Sequence, residues 1–122
     1  MTFKQTLIEQ TKKIFQNRYD KNPEVISISP GRINIIGEHV DYNLGLSMPA
    51  AIDKYLCVAI SKNKDQQING YSQNLNDSFS NNYSLNNDSR HWVKYVHGSI
   101  IESLKKSNYS SGFDIVINST IQ

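Results

Sequence analysis

Between residues 30 and 43 the chain sets an arginine, a short apolar run and a row of hydrogen-bonding side chains almost without a gap. The stretch reads Pro30-Gly31-Arg32-Ile33-Asn34-Ile35-Ile36-Gly37-Glu38-His39-Val40-Asp41-Tyr42-Asn43. Glu38, His39, Asp41 and Asn43 are costly to crowd together unless something satisfies them. A carboxylate can accept from two neighbouring hydroxyls at once, while a histidine can donate to a ring or hydroxyl oxygen. A strand end carrying such groups is a good way to hold a polyol in one orientation. Arg32, between Pro-Gly and an apolar strand, is expected to have a fixed direction, and Asn34 to hydrogen-bond the neighbouring loop.

Spacing alone leaves rivals open. Glu38, His39 and Asp41 could belong to a solvated loop, and His39 with Asp41 could ligate a divalent metal. Metal sites usually need three or four protein ligands, and no second His/Cys/Asp cluster accompanies this one. Metal is therefore the weaker reading.

These groups need elements to position them. Phe3, Leu7, Ile8, Ile14 and Phe15 recur at near-helical spacing after Thr2, a suitable N-cap, so a helix is predicted from 3 to about 19, ended before Asn22-Pro23. Val25 to Ser29 alternates as a strand, Pro30-Gly31 interrupts it, and Arg32 to Gly37 resumes it. Tyr55 to Ile60 is apolar nearly throughout and reads as a central strand. From Asn63 to Asp88 the chain is rich in Asn, Ser, Asp and Gln; Gln67–Ser72 and Ser78–Leu85 read as weak, exposed strands, with a disordered linker as the rival. Trp92 to Lys106 carries Trp92, Val93, Val96, Ile100, Ile101 and Leu104 near a 3.6 period, a second helix. Gly112 to Ser119, with Phe113, Ile115 and Ile117 alternating, is a closing strand. The class is α+β, a mixed sheet with two helices.

Composition narrows the partners. The 122 residues suffice for one compact domain. Thirteen basic and 11 acidic residues are scattered along the chain for a net charge of +2, which gives no footprint for nucleic acid or an anionic membrane. Cys57 is the single cysteine and reads as a small buried hydrophobe, with a reactive thiol as the minor option. No signal peptide or bilayer-spanning stretch is visible, so a cytoplasmic location is the default. A small molecule or another protein is the expected partner.

The order Gly31-Arg32-x-Asn34-x-x-Gly37-Glu38-His39-x-Asp41-Tyr42 resembles the signature of the galactokinase family of GHMP kinases. Gly45 to Ile52 is similar to that family's next segment, with Met48 where a leucine is common. Arg90-His91-Trp92-Val93-Lys94-Tyr95 resembles its Trp-x-x-Tyr helix start, and Gly112-Phe113-Asp114-Ile115 its next strand. The resemblance spans nearly the whole chain, least in the Asn-rich middle. It implies an incomplete N-terminal GHMP domain over residues 1–122 (ribosomal protein S5 domain 2-like), with its sugar-binding segment at 30–43 and a nucleotide-contacting helix at 92–106. Glu38, His39 and Asp41 would bind galactose hydroxyls, Tyr42 would shape the pocket, and Arg32 would stabilise the transition state. Trp92 and Tyr95, one helical turn apart, would flank the adenine of ATP; packing in the core is the rival reading for both. Ser72 would reach the nucleotide. His91 and His97 read as surface residues.

The resemblance also implies what should follow Gln122: a Gly/Ser-rich phosphate loop, the catalytic aspartate and the Mg²⁺ ligands, none of which this chain supplies. The expected function is ATP-dependent phosphorylation of the anomeric hydroxyl of galactose by the complete protein, with the chain alone inactive and in need of its C-terminal remainder. A non-catalytic galactose-sensing module and an inert remnant are the alternatives.

Overall fold

The computed structural model describes residues 2–37, 45–82 and 88–121. In chain order the elements are helix α1 (Phe3–Tyr19), strands β1 (Val25–Ile36), β2 (Met48–Asn63), β3 (Gln67–Ser72) and β4 (Asp77–Asn82), helix α2 (His91–Leu104) and strand β5 (Gly112–Ser119). The strands form one mixed sheet in the order β1-β2-β5-β3-β4. All neighbours are antiparallel except β3 and β5, which run in the same direction.

α1 begins where Thr2 predicts. The Thr2 hydroxyl accepts from the Gln5 N–H at 3.2 Å while the Gln5 side chain accepts from the Thr2 N–H at 2.8 Å, so two otherwise orphaned donors are satisfied. It ends at Asp20, which takes a left-handed conformation (φ 55°) and donates its N–H to the Gln16 carbonyl. Leu7, Thr11 and Phe15 face inward, while Phe3, grouped with them by spacing, stays 64% exposed.

The two helices lie on opposite faces of the sheet. Phe15 of α1 packs on Ala59 and Val116, flanked by Ile26 and Tyr71. Val93 of α2 packs with Ile68, Phe79 and Ile115, flanked by Val58, Ile60, Phe113 and Ile117. Alternation along β5 explains both contacts: Ile115 and Val116 point to opposite faces, and each is buried under a different helix. β5 is thus the middle strand and not a closing edge.

Three expectations change. β3 is an inner strand, with Ile68, Gly70 and Ser72 buried; it is neither weak nor exposed, because β5 pairs along its free edge. β4 covers Asp77–Asn82 and is the true edge, and the ordered hairpin excludes a disordered linker over 67–82. His97 is buried rather than on the surface, because it sits one turn beyond Val93 on the face of α2 turned to the sheet. Cys57 is buried, and burial pushes its thiol pKa up.

Polar groups tie α1 to the sheet. Asp114 is buried, yet it accepts from Asn63 at 3.0 Å and Asn69 at 2.8 Å and pairs with Lys21 at 2.8 Å. Burial alone would raise its pKa, but these three donors outweigh it and the carboxyl titrates below its ordinary 3.8. The Tyr19 hydroxyl donates toward the carbonyls of Ile115 and Asn69 at 3.0 and 3.2 Å, closing the same corner.

A carboxyl whose folded pKa lies below its unfolded value stabilises the fold above the unfolded value, and that contribution disappears as pH falls through the folded one. Asp114 should therefore hold full effect above about pH 4 and lose it below. Asp114→Asn should cost about 1–3 kcal/mol at pH 7. Urea unfolding followed by circular dichroism at pH 7 and pH 3 checks this; an equal cost at both values would contradict the charge-based account.

Candidate functional site

β1, β5 and β3 all run in one direction, because β2 is antiparallel to both β1 and β5 while β3 is parallel to β5. Their carboxyl ends therefore meet at one end of the sheet. The ladder places Ser29 of β1, Leu56 of β2 and Ser119 of β5 in a row there, with Ser72 two residues back beside Ile117. The N-terminus of α2 is drawn to the same end by Arg90, whose guanidinium donates to Asp77 at the start of β4 at 2.9 Å.

Arg32 lies on β1 just past a register shift, opposite Ala51. Its side chain is exposed. β1 then stops at Gly37, which has φ +85° and where a Cβ would meet Ser47 Cα at 2.6 Å as well as the Leu46 carbonyl oxygen. Only glycine fits there, so the chain can turn sharply just before Glu38. Glu38, His39, Asp41 and Tyr42 themselves lie outside the described residues, as does Asn43. Ile33, Ile35, Ile36 and Met48 around this turn are more than half exposed, which leaves the outer β1–β2 ribbon uncovered on this chain.

The residues assigned to the nucleotide differ among themselves. Ser72 is buried, and its hydroxyl accepts from the Leu75 N–H at 3.4 Å within the turn after β3. Trp92 is half-buried; its ring meets Phe79 edge-on at 5.3 Å and its indole N–H donates to Asp77 at 3.0 Å. Core packing is therefore a role that Trp92 does fill. Tyr95, one turn on, is 77% exposed. It borders an apolar groove of about 320 Å³ between α2 and β2, whose floor includes Leu56, Val58 and Ile117. The sheet face beside α2 is open here because α2 seats over β5 and β3. β2 is internal, as its apolar run predicts; its Cys57 and Ala59 face is buried on the α1 side, while Val58 and Ile60 on the other face are only partly covered beside α2.

Sequence reasoning missed the network that anchors α2. Arg90 donates to Asp77, to Asp88 at 2.6 Å and to the Ser78 carbonyl at 2.8 Å. The Trp92 N–H and then Arg90 hold the Asp77 carboxyl below its ordinary range, and Arg90 holds Asp88 down at about 2. The available signal was Asp88-Ser89-Arg90 directly before an apolar helical period. Among the described residues no three His, Cys, Asp or Glu side chains come together as a metal site. Among the described residues no helix is long and apolar enough to cross a membrane.

This arrangement, a mixed sheet with a helix on each face, is similar to that of solved sugar and mevalonate kinases. A mevalonate kinase from Methanococcus jannaschii matches with a TM-score of 0.65 at 25% identity, over 80% of this chain and 33% of that one. Lactococcus lactis galactokinase, solved in complex with galactose, matches with a TM-score of 0.63 at 30% identity, over 99% of this chain and 32% of that one. A family model described as the galactokinase galactose-binding signature matches residues 13–62. A galactokinase of Staphylococcus carnosus is 38% identical over 121 residues, covering 94% of this chain. Over nearly its whole length the chain is similar to a part of these galactokinases. It spans 31% of the length of that Staphylococcus relative, and about as little of the others.

The contrast between the two aromatics gives a direct test. Trp92→Phe keeps a ring against Phe79 but removes the donor to Asp77, and should cost about 1 kcal/mol. Tyr95→Ala, at an exposed position, should stay within about 0.5 kcal/mol of the parent. Denaturant midpoints measure both, and the reverse order would mean the packing at α2 has been misassigned.

Proposed function

We propose that this chain is the sugar-binding, N-terminal part of a galactokinase. The complete protein would transfer the γ-phosphoryl group of ATP to the anomeric hydroxyl of D-galactose, giving galactose 1-phosphate. The observation that carries this reading is the match of residues 13–62 to the galactose-binding signature. That span contains Arg32 and the Glu38-His39-Val40-Asp41-Tyr42 run.

In this reading Glu38, His39 and Asp41 hold the galactose hydroxyls and Tyr42 shapes the pocket wall. Gly37 supports the assignment, since it lets the chain turn immediately before Glu38. Arg32 is the cation beside the transferred phosphoryl group; phosphoryl transfer depends mostly on positioning and charge neutralisation, which a guanidinium on a paired strand can provide. Its exposed side chain is open to such a group. Tyr95, an exposed ring beside an apolar groove, offers a stacking surface for adenine. Trp92 would add the far side of that surface through its half-buried ring, and Ser72 would act at the same sheet end.

Mg²⁺ would neutralise the nucleotide phosphates, but the described residues assemble no site for it. Its ligands and the phosphate loop are assigned to the remainder of the protein, as is the catalytic base. The chain alone is therefore proposed not to turn over. No feature here calls for a membrane or nucleic acid, and we place the protein in the cytoplasm.

Two substitutions in the complete protein separate binding from chemistry. Asp41→Ala should weaken galactose binding about 5- to 150-fold in isothermal titration, since a sugar hydroxyl left unpaired costs about 1–3 kcal/mol. Arg32→Ala should lower kcat about 100-fold or more while galactose still binds. Unchanged galactose affinity in the first, or a raised KM with kcat intact in the second, would overturn the respective role.

A further inference from the structure

The end of β5 is gripped from both sides. β3 pairs with β5 as far as Ser72 and Ile117, and the Gln73 N–H donates to the Ile117 carbonyl at 2.9 Å. The turn then leaves the ladder, yet the pairing continues through a side chain. The Asn74 amide nitrogen donates to the Ser119 carbonyl at 2.6 Å, and its amide oxygen accepts from the Ser119 N–H at 2.8 Å. One carboxamide thus takes the place of a strand's own N–H and C=O. On the other side the Thr120 N–H donates to the Tyr55 carbonyl at 2.9 Å, and the Tyr55 N–H donates to the Thr120 hydroxyl at 2.8 Å.

What these contacts hold is Ile121, which reaches across β2 to Gly31. A Cβ built on Gly31 would lie 2.9 Å from Ile121 Cδ1 and 3.2 Å from Ile52 Cδ1. Gly31 is where the β1–β2 register slips: Pro30 faces Tyr55 and Arg32 faces Ala51, so Gly31 has no partner in the ladder. The backbone directly before Arg32 therefore rests on Ile121 and Ile52 and not on strand pairing.

We propose that Asn74 and Ile121 are positioning residues: Asn74 pins Ser119, Ile121 fills the space left by Gly31, and together they fix the backbone that aims Arg32. The φ of Gly31 is not in the left-handed region, so what an added Cβ there meets is the side-chain ends of Ile121 and Ile52, which would have to shift. The brace links the turn after β3 to the strand carrying Arg32 across the whole width of β5 and β2. Its catalytic consequence rests on the galactokinase reading; the mechanical linkage does not.

The test uses the complete protein that contains this chain. The unaltered protein is first assayed for galactose binding and ATP-dependent turnover, so failure of the kinase reading appears before any variant is compared. Hydrogen exchange of peptides covering residues 29–34 then reads the brace without reference to activity. Asn74→Ala should accelerate exchange there and lower kcat about 10- to 100-fold, as displaced catalytic groups do, with galactose KM within about twofold. Tyr71→Phe removes hydrogen bonds within the same turn (to Gln73 and Asn76) but none to β5, and should change neither quantity. Gly31→Ala should lower kcat similarly, and adding Ile121→Val, which deletes the Cδ1 in the way, should restore most of it. Unaltered exchange at 29–34 in Asn74→Ala overturns the proposal. So does failure of Ile121→Val to rescue Gly31→Ala, the arm that decides should Asn74→Ala not fold.

Discussion

β5 must be covered on both faces at once, and the rest of the molecule is arranged to do it. Ile115 needs α2 above it and Val116 needs α1 below, so neither helix can be lost without exposing one side of the central strand. A strand apolar on both faces also tolerates no unpaired backbone, and β2 and β3 satisfy it from either edge. The mixed topology follows. β2 approaches antiparallel, β3 parallel, and the carboxyl ends of β1, β3 and β5 arrive together at one end of the sheet. That convergence sets Arg32, Ser72 and the α2 N-terminus toward the same end of the sheet on different strands, although they are spread over some sixty positions of sequence.

Polar groups at the two ends of the sheet do different things. At the far end Asp114, Lys21, Asn63 and Asn69 form a satisfied buried corner that fixes α1. At the near end Arg90, Asp77, Asp88 and Trp92 fix α2, while the Asn74 carboxamide fixes the exit of β5. Both clusters draw their partners from the Asn- and Asp-rich middle of the chain. A composition that looks like loop material is here the donor and acceptor supply for the sheet.

Much of this was legible in the residues. α1 declared itself through Thr2 as N-cap and the near-helical spacing of Phe3, Leu7, Ile8, Ile14 and Phe15, and β5 through its alternating Phe113, Ile115 and Ile117. The resemblance to the galactokinase signature was legible before any geometry. What the sequence hid was neighbourhood. Alternation in β5 marks one apolar face, but Val116 and Asp114 on the other face are buried too, because α1 crosses there. His97 looked like a surface residue because histidine is polar; its spacing from Val93 put it inward. β3 looked weak because Asn69, Tyr71 and Ser72 are polar, and only pairing with a strand forty-five positions away makes it internal. The four signature residues Glu38, His39, Asp41 and Tyr42 were read from the motif alone.

The placement of β5 last in sequence and central in space has a consequence for how the chain acquires its fold as it leaves a ribosome. β1–β2 and β3–β4 are each local hairpins and can close early. Nothing joins them until residues 112–119 emerge and slide between β2 and β3. For the time it takes to synthesise roughly the thirty residues between Asn82 and Gly112, two hairpins present free edges that are complementary to any extended chain, including each other. Insertion of the central strand is long-range and so intrinsically slow. The polar character of β3 and β4, with Asn, Ser and Asp along them, then reads as protection for a sheet that must wait for its middle.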